Sequence, residues 1–342
     1  MDLKPSFKNR LIVSFLVLIL VGAGLAYWFG ETWLRRILLY LSTAVWARNL
    51  VSAFPLAKRV SERFVAGETI DDVIRVAQSL NERGMHVTLD YLGESVSTID
   101  EANAARDEIL RLLDRINQEK PDATVSVKLS QLGLKLHPDQ TYKNIRAIVA
   151  RAKEYNNRVR IDMEDSSVVD ITLDIFRRLR EEDKFDNVGI VVQSYLYRTE
   201  EDVKELIESG ANVRLCKGAY MEPAEVAYPL KKDVDDNYVR LTRMMLDDGA
   251  RQNGVYLGVA THDEQIIRAA KDYSQAKGIR PDEFEFQMLY GIRRELQDDL
   301  VAQGYQVRIY VPYGTAWYPY FVRRLAERPA NLWFFLSNLL RQ

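Results

Sequence analysis

The sequence predicts an α/β protein that folds as a (βα)8 barrel, and three observations support this prediction. Eight short runs rich in β-branched residues alternate with amphipathic helical stretches from about residue 70 onward. No GxGxxG motif is present, although a doubly wound open sheet would want one in its first turn. Each run also ends in a polar or ionisable residue, and strand ends are where a barrel places its catalytic groups.

The predicted strands and helices follow one another without a long interruption. The strands are 86–90, 124–129, 158–163, 188–192, 212–216, 255–260, 283–287 and 306–311. The helices are 71–83, 101–118, 141–155, 167–182, 200–208, 236–252, 264–277 and 292–303, and a closing helix begins near residue 316. Because no linker rich in glycine, serine or proline divides this region, we assign residues 67–342 to one barrel domain.

The N-terminal part of the chain has a different composition. Residues 11–29 carry no charge and as a helix would span about 28 Å, close to the thickness of a bilayer core. We therefore expect residues 1–30 to form a transmembrane anchor, with a cleaved signal peptide or a buried hydrophobic helix as alternatives. Residues 31–66 are basic and amphipathic, which predicts helices that lie on the lipid surface or on the catalytic domain.

The composition argues against several classes of protein. The 47 basic and 49 acidic residues give a net charge of −2 without a basic stripe, so we expect no nucleic-acid partner. The single cysteine, Cys216, excludes an internal disulfide framework and is expected to pack as a small apolar residue. Three scattered histidines predict no metal site, and His86 and His137 are expected to be structural.

The polar residues at the strand ends should meet at one rim of the barrel. In strand order they are Asp90, Lys128, Asp162, Gln193, Arg214 with Lys217, Thr261 with His262, Gln287 and Tyr310. Lys128 could act as a Schiff-base nucleophile, as a charge partner for substrate, or in a structural ion pair with Asp162. We favour a site role for Asp162, and we expect Glu164 and Asp165 to cap the next helix.

A second group of residues suits a large anionic ligand. Arg214 and Lys217 are followed by Gly218, which lets the backbone approach a ligand closely. The end of the fifth strand could therefore hold a pyrophosphate or an anionic ring system. Thr261 and His262 could donate hydrogen bonds to a phosphate or a flavin.

The closing helix carries the strongest local pattern in the chain. Positions i, i+3, i+4 and i+7 are occupied by Tyr320, Arg323, Arg324 and Glu327. An ion pair between Arg323 and Glu327 would hold one guanidinium still, and the two arginines suit bidentate binding of a carboxylate or phosphate. The alternative is a solvated cationic face. Thr315 is the expected N-cap, and Pro319 falls within the first turn.

Aromatic residues cluster after the eighth strand, at Tyr310, Tyr313, Trp317, Tyr318 and Tyr320. Together with the charged groups they predict a pocket for an anionic small molecule with an apolar body, beside a larger polar cofactor. A lysine Schiff-base aldolase or a phosphate-binding isomerase, using Lys128 or Lys217, fits the same residues. A membrane-tethered binding protein without turnover is a third hypothesis.

Six motifs, in order along residues 35–340, resemble the proline dehydrogenase family, above all its short monofunctional bacterial members. They are VKLS at 127–130, RIDMEDS at 160–166, QSYLYRT at 193–199, RLCKGAY at 214–220, FEFQMLYG at 284–291 and YxxRRxxE at 320–327. The resemblance implies a distorted barrel with FAD across its mouth. It also implies oxidation of L-proline to Δ1-pyrroline-5-carboxylate, the first step of proline catabolism, with electrons passed to a membrane quinone.

The matching motifs also imply roles for individual residues. Arg323 and Arg324 would bind the proline carboxylate, with Glu327 and Tyr320 orienting them. The residues lining the substrate pocket would be Lys128, Asp162, Ala219, Tyr220, Leu289 and Tyr310. The flavin contacts would come from Gln193, Arg214, Lys217, Gly218, Ala219, Thr261 and His262. Arg214 would help to stabilise the anionic reduced flavin.

The segment at residues 11–29 is additional to the short members of the family that the chain resembles. Quinone chemistry gives it a rationale, because a membrane anchor keeps the enzyme beside a lipid-soluble electron acceptor. We therefore expect contact with the lipid bilayer and a location at the cell membrane, with the catalytic domain on the cytoplasmic side. A Δ1-pyrroline-5-carboxylate dehydrogenase would be the enzyme that acts next on the product.

Overall fold

The computed structural model describes residues 62–93 and 96–327, with side chains up to residue 322, together with residues 40, 44 and 46. The chain divides into two compact units. One is Phe64–Thr315, and the other combines Met1–Arg63 with Ala316–Gln342.

Unit Phe64–Thr315 contains a closed barrel of eight parallel strands, β1 to β8, that pair in the order of the sequence. The strands are His86–Tyr91, Ala123–Val127, Val159–Ile161, Val188–Gln193, Asn212–Cys216, Tyr256–Ala260, Glu285–Leu289 and Gln306–Tyr313. Strand β1 closes the barrel against β8, with Thr88 in register with Tyr310. The predicted fold class is confirmed.

Helices α1 to α9 precede and connect these strands. They are Ile70–Asn81, Ile99–Glu119, Pro138–Glu154, Val169–Glu181, Thr199–Glu208, Lys231–Leu246, Asp248–Gln252, Glu264–Ala276 and Arg294–Ala302. A 3-10 helix, Ser166–Val168, leads into α4. The amphipathic stretches of the sequence therefore form the outer layer of the barrel, as their periodicity predicts.

Most predicted boundaries, including those of β3, shift by at most three residues, and one helix differs more. Strand β3 ends at Ile161, although the backbone N–H of Asp162 still donates to Val127 O at 2.9 Å. The predicted helix 236–252 begins earlier, at Lys231, and is interrupted at Asp247, whose ψ of 155° is extended. Helices α6 and α7 lie on either side of this break.

The strands alternate between apolar and polar residues. Residues such as Val87, Leu89 and Val125 are fully buried in the apolar core. The alternate positions carry polar and charged side chains that meet inside the barrel, because Arg214 on β5 reaches Ser126 on the distant β2. A period of two residues places these two sets on opposite faces of a strand. The barrel interior therefore holds an extended polar network, and its upper part forms the candidate site.

Several residues outside the site have plain structural roles. The side chain of His137 accepts from Gln140 N at the start of α3, and His86 Nδ1 lies 2.5 Å from Asp122, so the structural interpretation of both histidines is confirmed. Asp165 caps the 3-10 helix by accepting from Ser167 N, as predicted.

The predicted capping role of Glu164 is wrong. Its carboxylate is buried and accepts hydrogen bonds from the backbone N–H, at 2.9 Å, and the hydroxyl of Ser130 in the loop after β2. The side chain therefore turns back toward the neighbouring strand instead of forward along its own chain.

In the second unit, helix α10 spans Trp317–Glu327, with Pro319 in its first turn as predicted. Thr315, the predicted N-cap, is separated from the first residue of the helix by Ala316. The rings of Trp317 and Phe321 are in contact, with centroids 6.1 Å apart. The side chains of residues 323–327 lie outside the described residues.

The predicted membrane segment, residues 11–29, also lies outside the described residues. Within the part that is described, no helix has the length and hydrophobicity needed to cross a bilayer. Tyr40 and Trp46 are helical, and residues 62–66 form a turn and loop, while most of the predicted amphipathic region 31–66 lies outside the described residues.

Candidate active site

The candidate site is centred on Asp162, the first residue after β3. Its Oδ1 accepts hydrogen bonds from Ser126 Oγ at 2.9 Å and Arg214 Nη1 at 2.8 Å, and its Oδ2 accepts from Tyr310 OH at 2.8 Å. Burial opposes ionisation of this carboxyl, but Lys128 and Arg214, together with the hydrogen bonds, hold its pKa below the usual range. Asp162 is therefore a permanent negative charge that joins strands from across the barrel.

Lys128 follows β2 by one residue and points into the same network. Its Nζ lies 3.0 Å from both carboxylate oxygens of Asp90, 3.1 Å from Tyr310 OH and 3.5 Å from Asp162 Oδ2. These oxygens hold the amine as a hydrogen-bond donor, which disfavours the nucleophilic free amine that a Schiff-base enzyme requires. The ion pair with Asp162, one of the three predicted roles of Lys128, is present, and Asp90 is a second and closer partner.

Asp90, at the end of β1, is fully buried beneath Lys128. Burial raises the pKa of its carboxyl, and the repulsion from Asp162 adds to this effect, while Lys128 opposes it. The carboxylates of Asp90 and Asp162 thus share the ammonium group of Lys128, and this concentrates charge at the carboxyl end of the barrel.

Tyr310 on β8 lies between the cations of the site. Its ring centroid is 5.1 Å from Arg214 Cζ and 5.8 Å from Lys128 Nζ, distances typical of cation–π contacts. Burial, followed by the charges of Asp162 and Asp90, raises the pKa of its phenol well above the usual value. Tyr310 therefore stays neutral and acts as a hydrogen-bond donor to Asp162.

Arg214 on β5 is 6% exposed and is held on two sides. Its Nη1 donates to Asp162 and to Ser126 at 3.1 Å, and its Nε donates to Gln287 Oε1. Among the described residues, none accepts a hydrogen bond from its Nη2. The guanidinium of Arg214 is therefore held in place and permanently charged, and its Nη2 is left to donate to a ligand.

Gln193 offers a further contact for a ligand, whereas Gly218 meets a packing requirement of the loop after β5. Gln193 ends β4, donates from Nε2 to Glu164 O at 3.2 Å, and has no described hydrogen-bond partner for its buried Oε1. Gly218 has a φ of +108°, and a Cβ there would lie 2.4 Å from the ring of Tyr195. Glycine is therefore required at this position for the loop to cross the ring.

Lys217, Thr261 and His262 follow β5 and β6. Lys217 forms ion pairs with Asp235 at 2.5 Å and Asp263 at 2.7 Å. Thr261 Oγ1 accepts from Asp263 N at 3.1 Å, and His262 Nε2 accepts from Leu289 N at 3.0 Å. The contacts of Lys217 and Leu289 bring the ends of β5, β6 and β7 together.

The remaining predicted site residues stand in different parts of the chain. Ala219 is exposed and Tyr220 is half-buried in the loop after β5, and Leu289 is the last residue of β7. Tyr320 lies in helix α10 of the second unit, and the side chains of Arg323, Arg324 and Glu327 are outside the described residues. The roles given to these residues stay predictions.

Sequence reasoning missed several members of the network. Ser126 and Arg308 lie outside the quoted motifs, and Glu285 lies inside one but has no role in the prediction. Gln287 is predicted at the rim, although it is buried and bonded to Arg214 Nε. The sequence does contain a signal for Ser126. It precedes Lys128 by two residues, and residues two apart lie on the same face of a strand. The same period of two connects Glu285 with Gln287.

Two further predictions concern Cys216 and metals. The thiol of Cys216 donates to Val192 O at 3.5 Å, and burial raises its pKa to about 12, so it is not a reactive thiolate. Among the residues that the structure describes, no group of three or more His, Cys, Asp or Glu side chains could hold a metal ion.

Comparisons with known proteins point to one family. A family model described as proline dehydrogenase matches residues 73–336. Proline dehydrogenase 1 of Bacillus subtilis subsp. natto is 41% identical over 309 residues, which cover 90% of this chain and 100% of that protein. Proline dehydrogenase of Deinococcus radiodurans is 45% identical over 285 residues, which cover 82% of this chain and 90% of that protein.

A solved structure shows the same fold. The crystal structure of proline utilization A from Bdellovibrio bacteriovorus, inactivated by N-propargylglycine, matches with a TM-score of 0.74 at 27% identity. The match covers 79% of this chain but only 33% of that longer protein. The similarity therefore concerns one part of the larger protein.

Proposed function

The chain belongs to the proline dehydrogenase family, and we propose that it oxidises L-proline to Δ1-pyrroline-5-carboxylate with bound FAD and passes the electrons to a membrane quinone. The observation that carries the proposal is the cluster of Lys128, Asp162, Arg214 and Tyr310 at the carboxyl end of the barrel. It places fixed charges of both signs where a barrel enzyme binds its reactants.

The described residues fit a flavin dinucleotide. The unpaired Oε1 of Gln193 can accept a hydrogen bond from a ring N–H, and Nη2 of Arg214 can donate to a ring nitrogen or oxygen. Lys217, although paired with two carboxylates, adds a cation just after β5. When bound, FAD would supply the acceptor for the hydride that leaves C5 of proline.

The protein's own contribution is to position the substrate. Arg323 and Arg324 would clamp the proline carboxylate, which fixes the distance and angle of the ring. Lys128, Asp162 and Tyr310 would line the pocket and exclude water. The substrate amine must be neutral when the imine forms, so the rate should rise with pH until that amine is deprotonated in the complex.

We also propose that the rim of the barrel works at a membrane surface. Of the seven large hydrophobic side chains that are exposed among the described residues, five lie in loops at the carboxyl end of the barrel: Leu136, Tyr197, Met221, Val226 and Leu230. Such a one-sided distribution favours contact with an apolar phase. It supports a location at the cell membrane, with residues 11–29 as anchor, the barrel on the cytoplasmic side and a quinone within reach.

The product is an imine in equilibrium with an open-chain aldehyde, and a dehydrogenase that oxidises this aldehyde would consume it. The proposed partner is therefore a Δ1-pyrroline-5-carboxylate dehydrogenase.

The decisive experiment is an anaerobic titration of the purified protein, reconstituted with FAD, followed by its visible spectrum. L-proline should bleach the flavin band, and D-proline at the same concentration should not, because the clamp and the flavin face select one enantiomer. A bound flavin that L-proline leaves oxidised would remove the assigned substrate. Failure to bind FAD would remove the cofactor as well.

A further inference from the structure

Beneath the site, a chain of buried polar side chains runs down the barrel interior from Arg214. Gln287 on β7 accepts a hydrogen bond from Arg214 Nε through Oε1 and donates from Nε2 to Glu285. Glu285 accepts from Arg308 Nε with both carboxylate oxygens, at 2.9 and 3.0 Å. The proposed reaction gives no direct role to Gln287, Glu285 or Arg308.

The two neighbours of Gln287 fix the direction of its amide. A guanidinium can only donate hydrogen bonds and an ionised carboxylate can only accept them. Arg214 therefore requires Oε1 on its side, and Glu285 requires Nε2 on the other. Gln287 has one orientation in this network, in contrast to a glutamine between two groups that both donate and accept.

The negative charge of Glu285 is stabilised by Arg308, the last member of this row of side chains. Its side chain is 2% exposed, and burial opposes ionisation. The charge and hydrogen bond of Arg308, with a further contribution from Arg160, nevertheless hold its pKa below the usual range. Glu285 is therefore a carboxylate at neutral pH and keeps the amide of Gln287 in place.

The neighbouring strand β6 leaves space for the side-chain amide of Gln287 because it carries a glycine opposite it. Gly258 on β6 faces Gln287, and a Cβ at that position would lie 2.4 Å from Gln287 Nε2. A side chain on β6 would therefore displace the amide.

We infer that Gln287 and Glu285 are positioning residues that fix the guanidinium of Arg214 against the flavin, and so determine how strongly the site stabilises negative charge on that ring. Arg214 donates through Nε to Gln287 and through Nη1 to Asp162 and Ser126. These contacts fix the plane of the guanidinium and therefore the position of Nη2. The inference rests on the proposed function, since it concerns the bound flavin.

The test uses full-length protein loaded with FAD and the Gln287→Met variant. Sulfite is the probe, because its sulfur forms a bond to N5 of the oxidised flavin and the displaced electron pair leaves negative charge on the ring. Adduct stability therefore reports the positive charge beside the ring, independently of turnover. We expect Gln287→Met to weaken sulfite binding by about tenfold, the size of one lost hydrogen bond to a charged group. The midpoint potential should shift to a more negative value.

A second variant approaches the same amide without removing a polar group. Gly258→Ala should displace Gln287 and weaken sulfite binding in the same direction. The matched control is Gly249→Ala in α7, where a Cβ meets nothing within 4 Å, and its sulfite affinity should equal that of the unaltered protein.

A control for Gln287→Met is Thr88→Val. Thr88 forms a 2.9 Å hydrogen bond with Thr124 in the same barrel interior, and the hydrogen bonds of Arg214 go to other residues. This variant should lose stability but keep the sulfite affinity and the potential. Unchanged sulfite affinity and potential in Gln287→Met would overturn the inference. Unaltered protein that binds FAD but is not reduced by L-proline would instead contradict the proposed function.

Discussion

Asp162 accepts hydrogen bonds from residues of three other strands, Ser126 on β2, Arg214 on β5 and Tyr310 on β8. A single carboxylate thus holds together groups that are far apart in the sequence. Its identity as a site residue could be predicted, because it follows a strand that reads as buried. Its partners could not, since they depend on which strands face each other across the barrel.

Replacing Asp162 with asparagine should damage both stability and turnover. The amide keeps the volume but removes the carboxylate partner of Arg214 and one of the two carboxylates beside Lys128. Breaking a buried ion pair costs about 3 kcal/mol of unfolding free energy. Urea denaturation and steady-state kinetics with L-proline would measure the two losses. The control is Asp248→Asn, whose exposed pair with Arg251 should contribute less than about 1 kcal/mol. Equal stability losses in the two variants would contradict the central role of Asp162.

The carboxylate clamp predicted in helix α10 gives a second prediction. Arg324→Met should raise KM for L-proline by at least about tenfold, because a charge-assisted bidentate contact is lost. Initial rates over a wide proline range, with the flavin content held equal, would measure this effect. Arg268→Met, at an exposed arginine in α8, is the control and should leave KM unchanged. A normal KM in Arg324→Met would remove the clamp.

At the scale of elements, His86 joins three strands at the amino end of the barrel. Its Nδ1 lies 2.5 Å from Asp122, which precedes β2, and its Nε2 contacts Gln306 at the start of β8. The hydrogen bond to Asp122 raises the pKa of His86 above its usual value of 6.5. The protonated ring donates to both partners, so the charged form stabilises these strand ends.

This contact predicts a pH dependence of stability. Because the pKa is higher in the folded state, the stabilisation is complete below pH 6.5 and is lost as the pH rises through the folded-state value. The urea midpoint of the unaltered protein should therefore fall on going from pH 6 to pH 9 more than that of His86→Gln. Gln140→Ala in α3 is the control, since it replaces a side chain that does not titrate, and it should keep the slope of the unaltered protein. Identical slopes in all three proteins would contradict the role of His86.

At the scale of the whole molecule, we expect the proposed membrane attachment to be separable from catalysis. Phe64–Thr315 is a compact unit by itself, and the predicted anchor lies outside it. A chain lacking residues 1–30 should move from the membrane fraction to the soluble fraction. Its turnover with a water-soluble electron acceptor should be unchanged, while its rate with a quinone in vesicles should fall. Full-length protein found only in the soluble fraction would remove the anchor.

Local sequence patterns were sufficient to predict the fold class and most of the strand and helix boundaries. Alternating short strands and amphipathic helices gave the barrel and most of its boundaries, because the periods of two and 3.6 residues are written directly in the side chains. The family motifs and the strand-end rule identified Lys128, Asp162, Arg214 and Tyr310. Those residues do meet in one network.

Only the tertiary structure decided how these residues are paired. Lys128 lies closer to Asp90 than to Asp162, Glu164 accepts from Ser130 instead of capping a helix, and Gln287 lies beneath Arg214 instead of at the rim. Each contact depends on the register and closure of the barrel, which bring together residues separated by 34 to 73 positions in the chain. A sequence shows the period of each strand, whereas the partner across a closed barrel is fixed only when all eight strands have paired.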